Sequence, residues 1–476
     1  MNTLNQINEH MTKYRWTICS LLFFATTINY LDRQVLSLLQ PMLEEEFHWT
    51  DSDYGTITSV FSLGYAFCML FAGRFIDKMG TKKGYAIAIA VWSAAACMHA
   101  LCGLVTEEIT GLPDADALRN ATGPIVGTIA TTSIIAFVVA RILLALGEAG
   151  NFPAAIKATA EYFPKRDRAF ATGIFNSGAN VGAILAPLTV PFMAKAWGWE
   201  MAFVIVGAAG FVWLAFWLIL YKDPKENTKM NDAERAYINQ DYAEEKTGNA
   251  NIKEPKVPFM QCFKYKQTWA FAFGKFMTDG VWWFFLFWTP AYLKAEYGMQ
   301  TTEIALPIGI LYTITVFGSV FGGKFPTYFI NKGMNPYAGR MKAMFIIALF
   351  PLFILLAQPL GHLEILGGYG YWIPIILIGI GGAAHQAWSA NIFSTIGDMF
   401  PKKAIATITG IGGMAGGVGS FFIQKGSGML FDYSFIEWGS KTQGYTIVFS
   451  FCAVAYLVGW VVMKFLVPKF KPITDL

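Results

Sequence analysis

The sequence predicts an all-α membrane protein with twelve transmembrane helices in two pseudo-symmetric halves of six. Three observations lead there. Hydrophobic residues make up 55% of the 476 positions and charged residues 14%, with mean hydropathy +0.43, too little charge to cover a soluble chain of this length. Apolar runs of about 20 residues, the length a helix needs to cross a bilayer, recur along almost the whole chain. The third observation is an internal repeat. Glu161-Tyr162-Phe163-Pro164-Lys165-Arg166, followed by Thr172-Gly173 and Gly182, returns as Asp398-Met399-Phe400-Pro401-Lys402-Lys403, Thr409-Gly410 and Gly419, always at the same interval (401 − 164 = 237). A gapless shared offset points to duplication of a half-length unit. Duplicated halves of membrane helices build many secondary transporters, with the ligand site where the halves meet.

Taken in order, the apolar runs place helices near 15–40, 54–76, 84–104, 127–157, 168–195 and 199–221, then near 267–294, 304–330, 338–359, 370–398, 404–430 and 444–467. Between the sixth and seventh lies the longest charged stretch, with Pro224, Pro255, Pro258 and an amphipathic piece around Asp232 to Arg235. It reads as a linker, so the chain divides into a first half over 1–221, a linker over 222–266 and a second half over 267–476. The glycine-dense segment from Gly410 to Gly419 falls inside a span and lacks the Lys-Ser/Thr of a phosphate loop. Small-residue packing against a neighbouring helix is the expectation there. Gly147, Gly150 and Pro153 predict a weakened fourth helix.

Alternate loops carry the basic residues: Arg74, Lys78, Lys82 and Lys83; Lys165, Arg166 and Arg168; Lys402 and Lys403; then Lys464, Lys469 and Lys471 after the last span. The intervening loops are acidic, as in Glu44 to Glu46 with Asp51 and Asp53. The positive-inside rule therefore places the basic loops, the linker and both termini in the cytoplasm. The expected location is the plasma membrane, the inner membrane in a Gram-negative cell. Residues 1–14 are polar and lack a cleavage site, and the six cysteines show no metal-ligand spacing. The sequence offers no nucleophile–base pair and no soluble catalytic domain, which argues against an enzyme. No cofactor, metal or nucleic-acid partner is expected, and a monomer is.

Gly73-Arg74-Phe75-Ile76-Asp77-Lys78-Met79-Gly80-Thr81-Lys82 joins the second and third spans. It resembles the G-x-x-x-D-[RK]-x-G-[RK]-[RK] signature of the major facilitator superfamily, at the expected loop. Thr81 departs from it, standing where the first of the final basic residues belongs. The resemblance implies the major facilitator fold, and Gly73, Asp77, Lys78, Gly80 and Lys82 as a cytoplasmic motif that changes contacts as the halves move.

Charges inside a bilayer cost roughly 2.5–3.5 kcal/mol each on insertion scales. The spans contain Asp32 and Arg33 in the first helix, Arg141 and Glu148 in the fourth, and Lys275 and Asp279 in the seventh. Arg141 and Glu148 are two turns apart on one face, Lys275 and Asp279 are one turn apart and can pair, and the adjacent Asp32 and Arg33 point about 100° from each other. Internal salt bridges are one reading. The other is that the arginines bind an anion and the acids carry protons, since the planar guanidinium grips a carboxylate with two hydrogen bonds. The repeat maps Glu148 onto His385, which opens a polar run through Gln386 and Asn391 suited to hydroxyl groups. Trp282, Trp283, Tyr30 and Tyr65 are candidates for stacking on a sugar ring, or packing residues. Asn176 is expected to be a buried amide needing a partner.

Asn29-Tyr30-Leu31-Asp32-Arg33, Arg141 through Glu148 to Pro153, and Glu161-Tyr162-Phe163-Pro164 resemble the anion:cation symporter branch of that superfamily. Thr278 through Leu293, and Ala384 through Asn391, are similar to the hexuronate transporters. This resemblance covers nearly the whole chain; Gly280, where that group often has Pro, and the long loop 105–124 depart from it. It implies proton-coupled import of a sugar-acid anion such as glucuronate or galacturonate. It further implies carboxylate binding by Arg33 and Arg141 and proton coupling by Asp32 and Glu148. Lys275, Tyr65, Trp283, His385, Gln386 and Asn391 complete the expected binding set. An exchanger, or a sodium-coupled carrier of aldonates, glucarate or sugar phosphates, is the alternative.

Overall fold

The computed structural model describes residues 11–240 and 259–473. The linker over 241–258, with Pro255 and Pro258, and the side chains of Lys165, Arg166, Lys402 and Lys403 lie outside the described residues. Twelve long helices organise the rest. The first six are α1 (Tyr14–Phe47), α2 (Asp51–Met79), α3 (Thr81–Met98), α4 (Ile125–Glu148), α5 (Lys165–Trp197) and α6 (Trp199–Leu220). The second six are α7 (Lys266–Tyr297), α8 (Ala305–Gly322), α9 (Pro336–Leu349), α10 (Trp372–Met399), α11 (Lys402–Trp438) and α12 (Thr442–Leu466). No strand occurs among the described residues.

Eight of these helices, some with the short helix that follows, are long and apolar enough to cross a membrane. The pair Thr81–Met98 and Leu101–Thr110, bent by 47°, makes a ninth. The three outside that test are α1, α7 and α11, of 34, 32 and 37 residues. At 1.5 Å per residue each is about 50 Å long, more than the roughly 30 Å hydrocarbon core. Their apolarity is diluted by Asp32 and Arg33, by Lys275 and Asp279, and by the glycines of α11. Other helices cover most of α1 and α7, with α1 against α5, α6 and α7, whereas α11, which lies between α2 and α7, keeps an exposed apolar face with Phe422, Met429 and Ile436.

Local chemistry sets the helix ends. Thr50 caps α2 in a capping box with Asp53. Gly80, at φ +79°, turns the chain sharply between α2 and α3, a conformation that favours glycine. In the same loop Asp77 pairs with Lys157 at 3.1 Å, Lys78 is exposed, and the Lys82 carbonyl accepts from Trp217. Thr81 donates to Glu161 at 2.6 Å, which gives the departing residue a partner of its own. Glu161 also accepts from the Tyr221 hydroxyl. Its repeat counterpart, Asp398, accepts from Arg340 near the start of α9 at 2.8 and 3.2 Å. Each repeated acid thus ties the third helix of its own half. The amphipathic piece of the linker forms the helix Asp232–Ile238, whose buried Glu234 accepts from the Tyr14 and Arg15 amides at the start of α1.

Across the halves, α2 and α11 run antiparallel and meet closely at one end. A Cβ on Gly428 would lie 2.3 Å from the Asp51 carbonyl, and one on Gly417 would lie 2.2 Å from Ala66 Cβ; at Gly410 the nearest atom is 3.8 Å away. The close end is also bonded. Asp432 of α11 accepts from the Asp51 and Ser52 amides, at 3.0 and 2.8 Å, and so caps the N-terminus of α2. Lys441 pairs with Asp51 at 2.6 Å, Lys425 donates to Ser52 and Thr56, Ser420 bonds Ser62, and Lys294 of α7 pairs with Glu45. Burial works against the Lys441 ammonium, but the Asp51 and Glu44 carboxylates outweigh it and hold its pKa above the usual lysine value. A cavity of about 420 Å³ opens at this end, lined by Glu44, Asp51, Lys294, Glu296, His362 and Lys441.

Candidate functional site

The buried charges of α1 and α4 meet deep between the halves. Arg33 donates through Nε and Nη2 to Oε2 of Glu148, at 3.0 and 2.8 Å. Four rings surround its guanidinium: Tyr65 at 4.7 Å, Tyr30 at 5.0 Å, Trp283 at 5.3 Å and Phe61 at 5.8 Å. Tyr65 and Phe61 belong to α2 and Trp283 to α7, so the box is built from both halves. Arg141 is different. It is 1% exposed, its guanidinium lies 5.3 Å from the Phe61 ring, and none of its three side-chain nitrogens has a hydrogen-bond partner among the described residues. Neither do both oxygens of Asp32 or the second oxygen of Glu148. Asp32 lies within electrostatic reach of Glu148, Arg141 and the Trp92 indole.

Local packing fixes these positions. Gly147 brings α4 onto α3: a Cβ there would stand 2.4 Å from the Trp92 amide nitrogen. Immediately after Glu148 the helix is interrupted at Ala149 and Gly150 and resumes as Asn151–Tyr162, as the weakened fourth helix anticipates. Phe61, which touches both arginines, escaped the sequence reading. Its signal was its place one turn before Tyr65 on the same face of α2.

The second half contributes one face of α7. Lys275, Asp279 and Trp283 follow at single-turn spacing, and Trp283 already touches Arg33. Lys275 is bonded to Asp279 at 2.7 Å and lies over the Phe393 ring at 4.4 Å. The Asp279 carboxylate rests on Gly416 of α11, where a Cβ would come within 2.1 Å of it.

Two side chains in the polar run of α10 are bonded to protein groups. His385 is bonded through Nδ1 to the Tyr456 hydroxyl at 2.9 Å and stacks on Trp282 at 5.3 Å. The Asn391 amide donates to the carbonyls of Gly322 and Ala387, at 2.9 and 2.8 Å. A buried polar side chain far from water is costly without a partner; α12 supplies one to His385 and α8 one to the Asn391 Nδ2, while Asn391 Oδ1 has none among the described residues. Gln386 is half-buried, and Asn176, expected to be buried, is exposed on α5. The 237-residue equivalence of Glu148 and His385 survives as a shared job: each ties its helix to a neighbour, α4 to α1 and α10 to α12.

A paired arginine and an unpaired one thus lie buried together on α1 and α4, beside rings of both halves. Comparison with known proteins gives the family. The family profile of the Major Facilitator Superfamily matches residues 22–424. The hexuronate transporter of Escherichia coli (strain K12) is 30% identical over 456 residues, 94% of this chain and 94% of that one. The galacturonate transporter of Dickeya chrysanthemi is 31% identical over 316 residues, 66% of this chain and 82% of that one. Among solved structures, a D-xylose-proton symporter has the same fold, with TM-score 0.70 at 15% identity over 97% of this chain and 98% of that one. Repeat, loop motif, helical architecture and family profile agree: the chain is a multi-pass membrane transporter that belongs to the major facilitator superfamily.

Proposed function

We propose that the protein imports hexuronate anions by proton symport, through alternating access of two six-helix units, 1–221 and 267–476, joined by the linker 222–266. The observation that carries this reading is Arg141, buried with three nitrogens that have no partner among the described residues. A buried donor left without an acceptor costs about 1–3 kcal/mol, more when charged, and a substrate carboxylate gripped by that guanidinium removes the penalty. The names of the relatives, hexuronate and galacturonate transporters, supply the sugar-acid class. Tyr30, Tyr65 and Trp283 around Arg33 offer ring faces to a sugar beside the carboxylate, and Gln386 and the Oδ1 of Asn391, which has no partner among the described residues, are polar groups of α10 open to its hydroxyls.

Charge balance supports the coupling. At the depth of the site stand three cations, Arg33, Arg141 and Lys275, and three acids, Asp32, Glu148 and Asp279. A bound carboxylate makes the sum negative, and one proton restores neutrality before the loaded carrier reorients. Glu148 is the acid whose protonation also acts on binding, since it loosens the ionic hold on Arg33 and frees that arginine to join Arg141 on the carboxylate. Asp32, beside both, is the second proton site. An inside-negative potential opposes a monoanion by about 2.3 kcal/mol per 100 mV, and one proton cancels that opposition. The site is enclosed within one chain, which supports a working monomer. With the basic loops in the cytoplasm, the bonded end of the seam faces outward.

The test is uptake of labelled glucuronate into proteoliposomes under an imposed inward pH gradient with the potential clamped. Accumulation that an uncoupler abolishes and unlabelled galacturonate blocks is expected. Uptake that follows sodium, or counterflow indifferent to pH, overturns proton symport. Glu148→Gln mimics the protonated acid, so it should retain glucuronate counterflow and lose pH-driven accumulation; accumulation at the wild-type level removes Glu148 from coupling.

A further inference from the structure

We infer that the Lys275–Asp279 pair is a specificity element, which restricts the site to substrates with one negative charge. The inference rests on the central site being the substrate site. Its starting point is the stripe of α7. Lys275, Asp279 and Trp283 lie on one face, and Trp283 stacks on Arg33, so this face looks onto the carboxylate end of the site. Tyr30 of α1 lies within electrostatic reach of Arg33, Glu148 and Asp279 together. The pair therefore borders the same space from the opposite half.

What it presents there is a cation already spent. Lys275 is held at 2.7 Å by Asp279, and the ammonium packs on Phe393. The pair is buried, with side-chain exposures of 7% and 16%. Gly416 leaves room for the Asp279 carboxylate and a larger residue would push it away. Among the described residues at this depth, Arg141 is then the cation with no acid bonded to it, Asp32 and Glu148 lying only within electrostatic reach, and one substrate carboxylate fills its open hydrogen bonds. A second carboxylate on the same sugar chain would meet Asp279 rather than a free ammonium. It would be desolvated with no counter-charge, a heavy penalty in a low-dielectric site. Aldarates are rejected on this account because Lys275 is occupied, and removing the occupant should admit them.

The experiment uses the purified full-length carrier and three probes of similar size: glucuronate and gluconate, each with one carboxylate, and glucarate with two. Affinity is read from the ligand-induced shift of the thermal unfolding midpoint over a concentration series. The wild type should bind glucarate at least about 100-fold more weakly than its better monocarboxylate. Asp279→Asn frees the ammonium and should narrow that ratio by about tenfold or more, the size of one charge-assisted contact. The double variant Lys275→Met with Asp279→Asn removes the freed cation and should restore the discrimination. Equal binding of glucarate and the better monocarboxylate by the wild type overturns the inference, and so does a double variant that behaves like Asp279→Asn. The wild-type ratio and the double variant keep the question decidable if Asp279→Asn does not fold. Binding of gluconate without glucuronate overturns the hexuronate reading alone, since the gluconate-to-glucarate ratio still reports on the pair. Binding of none of the three overturns both.

Discussion

Arg33 and Arg141 carry the same charge and face opposite situations. Arg33 has a carboxylate and four rings around it, whereas Arg141 has one ring and no acceptor among the described residues. Substituting Arg141 by Lys keeps the charge and loses the planar fork. A charge-assisted contact is worth about 1.5–3 kcal/mol, so glucuronate affinity should fall roughly 10- to 100-fold in competition uptake. Wild-type affinity in Arg141→Lys would mean that the fork is not used. Phe61→Ala should weaken binding more modestly, by about 2- to 30-fold, because it removes the ring at Arg141, a contact worth roughly 0.5–2 kcal/mol. An unchanged affinity in the same assay would show the ring to be filler. The six charges were legible in the sequence because hydrocarbon makes each one expensive. Which acid meets which base was legible only for Lys275 and Asp279, where a single turn fixes the geometry. Arg33–Glu148 joins residues 115 positions apart, and the rotation of two helices decides it. His385 and Asn391 looked like ligands for hydroxyls because composition marks a polar residue without marking its partner.

Among the helices, apolar periodicity placed all twelve, including α1, α7 and α11, where hydropathy alone is weakest. Of those three, α1 and α7 are mostly covered by other helices, which relieves them of lipid solubility, whereas α11 owes its weak hydropathy to its glycines. Glycine content was legible as close packing, but not what it packs against. Gly147 sits on the α3 backbone within one half, and Gly417 on Ala66 of the other half. The two should respond differently to a methyl group. Gly147→Ala overpacks a contact inside one unit at a cost of about 1–3 kcal/mol, and should lower the midpoint of thermal unfolding in detergent. An unchanged midpoint would show that α3 and α4 relax freely there. Gly417→Ala instead burdens a contact between units, and should slow transport with little loss of thermal stability.

The 237-residue repeat gives the molecule its symmetry, and the seam between α2 and α11 shows where that symmetry is poised. One end is closed by Asp432 on the α2 amides, by Lys441 on Asp51 and by Lys425 on Ser52 and Thr56. Asp432→Asn keeps the shape and weakens the cap. It should therefore raise the rate at which a membrane-impermeant maleimide labels a cysteine placed at Ser420, above the background of the six native cysteines. Labelling no faster than in the Ser420→Cys parent would show that the cap does not hold the seam. Nothing in the sequence announced Asp432, since a capping acid 381 residues from the helix it caps leaves no local trace.

The chemistry of that closed end has a consequence for turnover. Every bond across it joins groups that water can serve equally well: backbone amides, carboxylates, ammonium groups and hydroxyls. Exchanging such bonds for hydrated ones changes free energy by about 1.5–3 kcal/mol apiece where a charged group takes part and by less for the neutral hydroxyl pair. A door sealed with grease alone would have to expose its apolar faces each time it swung, whereas this one, apart from the packing of Tyr54 on Trp288, is wetted as it opens. Solvent thus acts as the hinge pin's lubricant, and a carrier that must cycle continually pays little at each stroke.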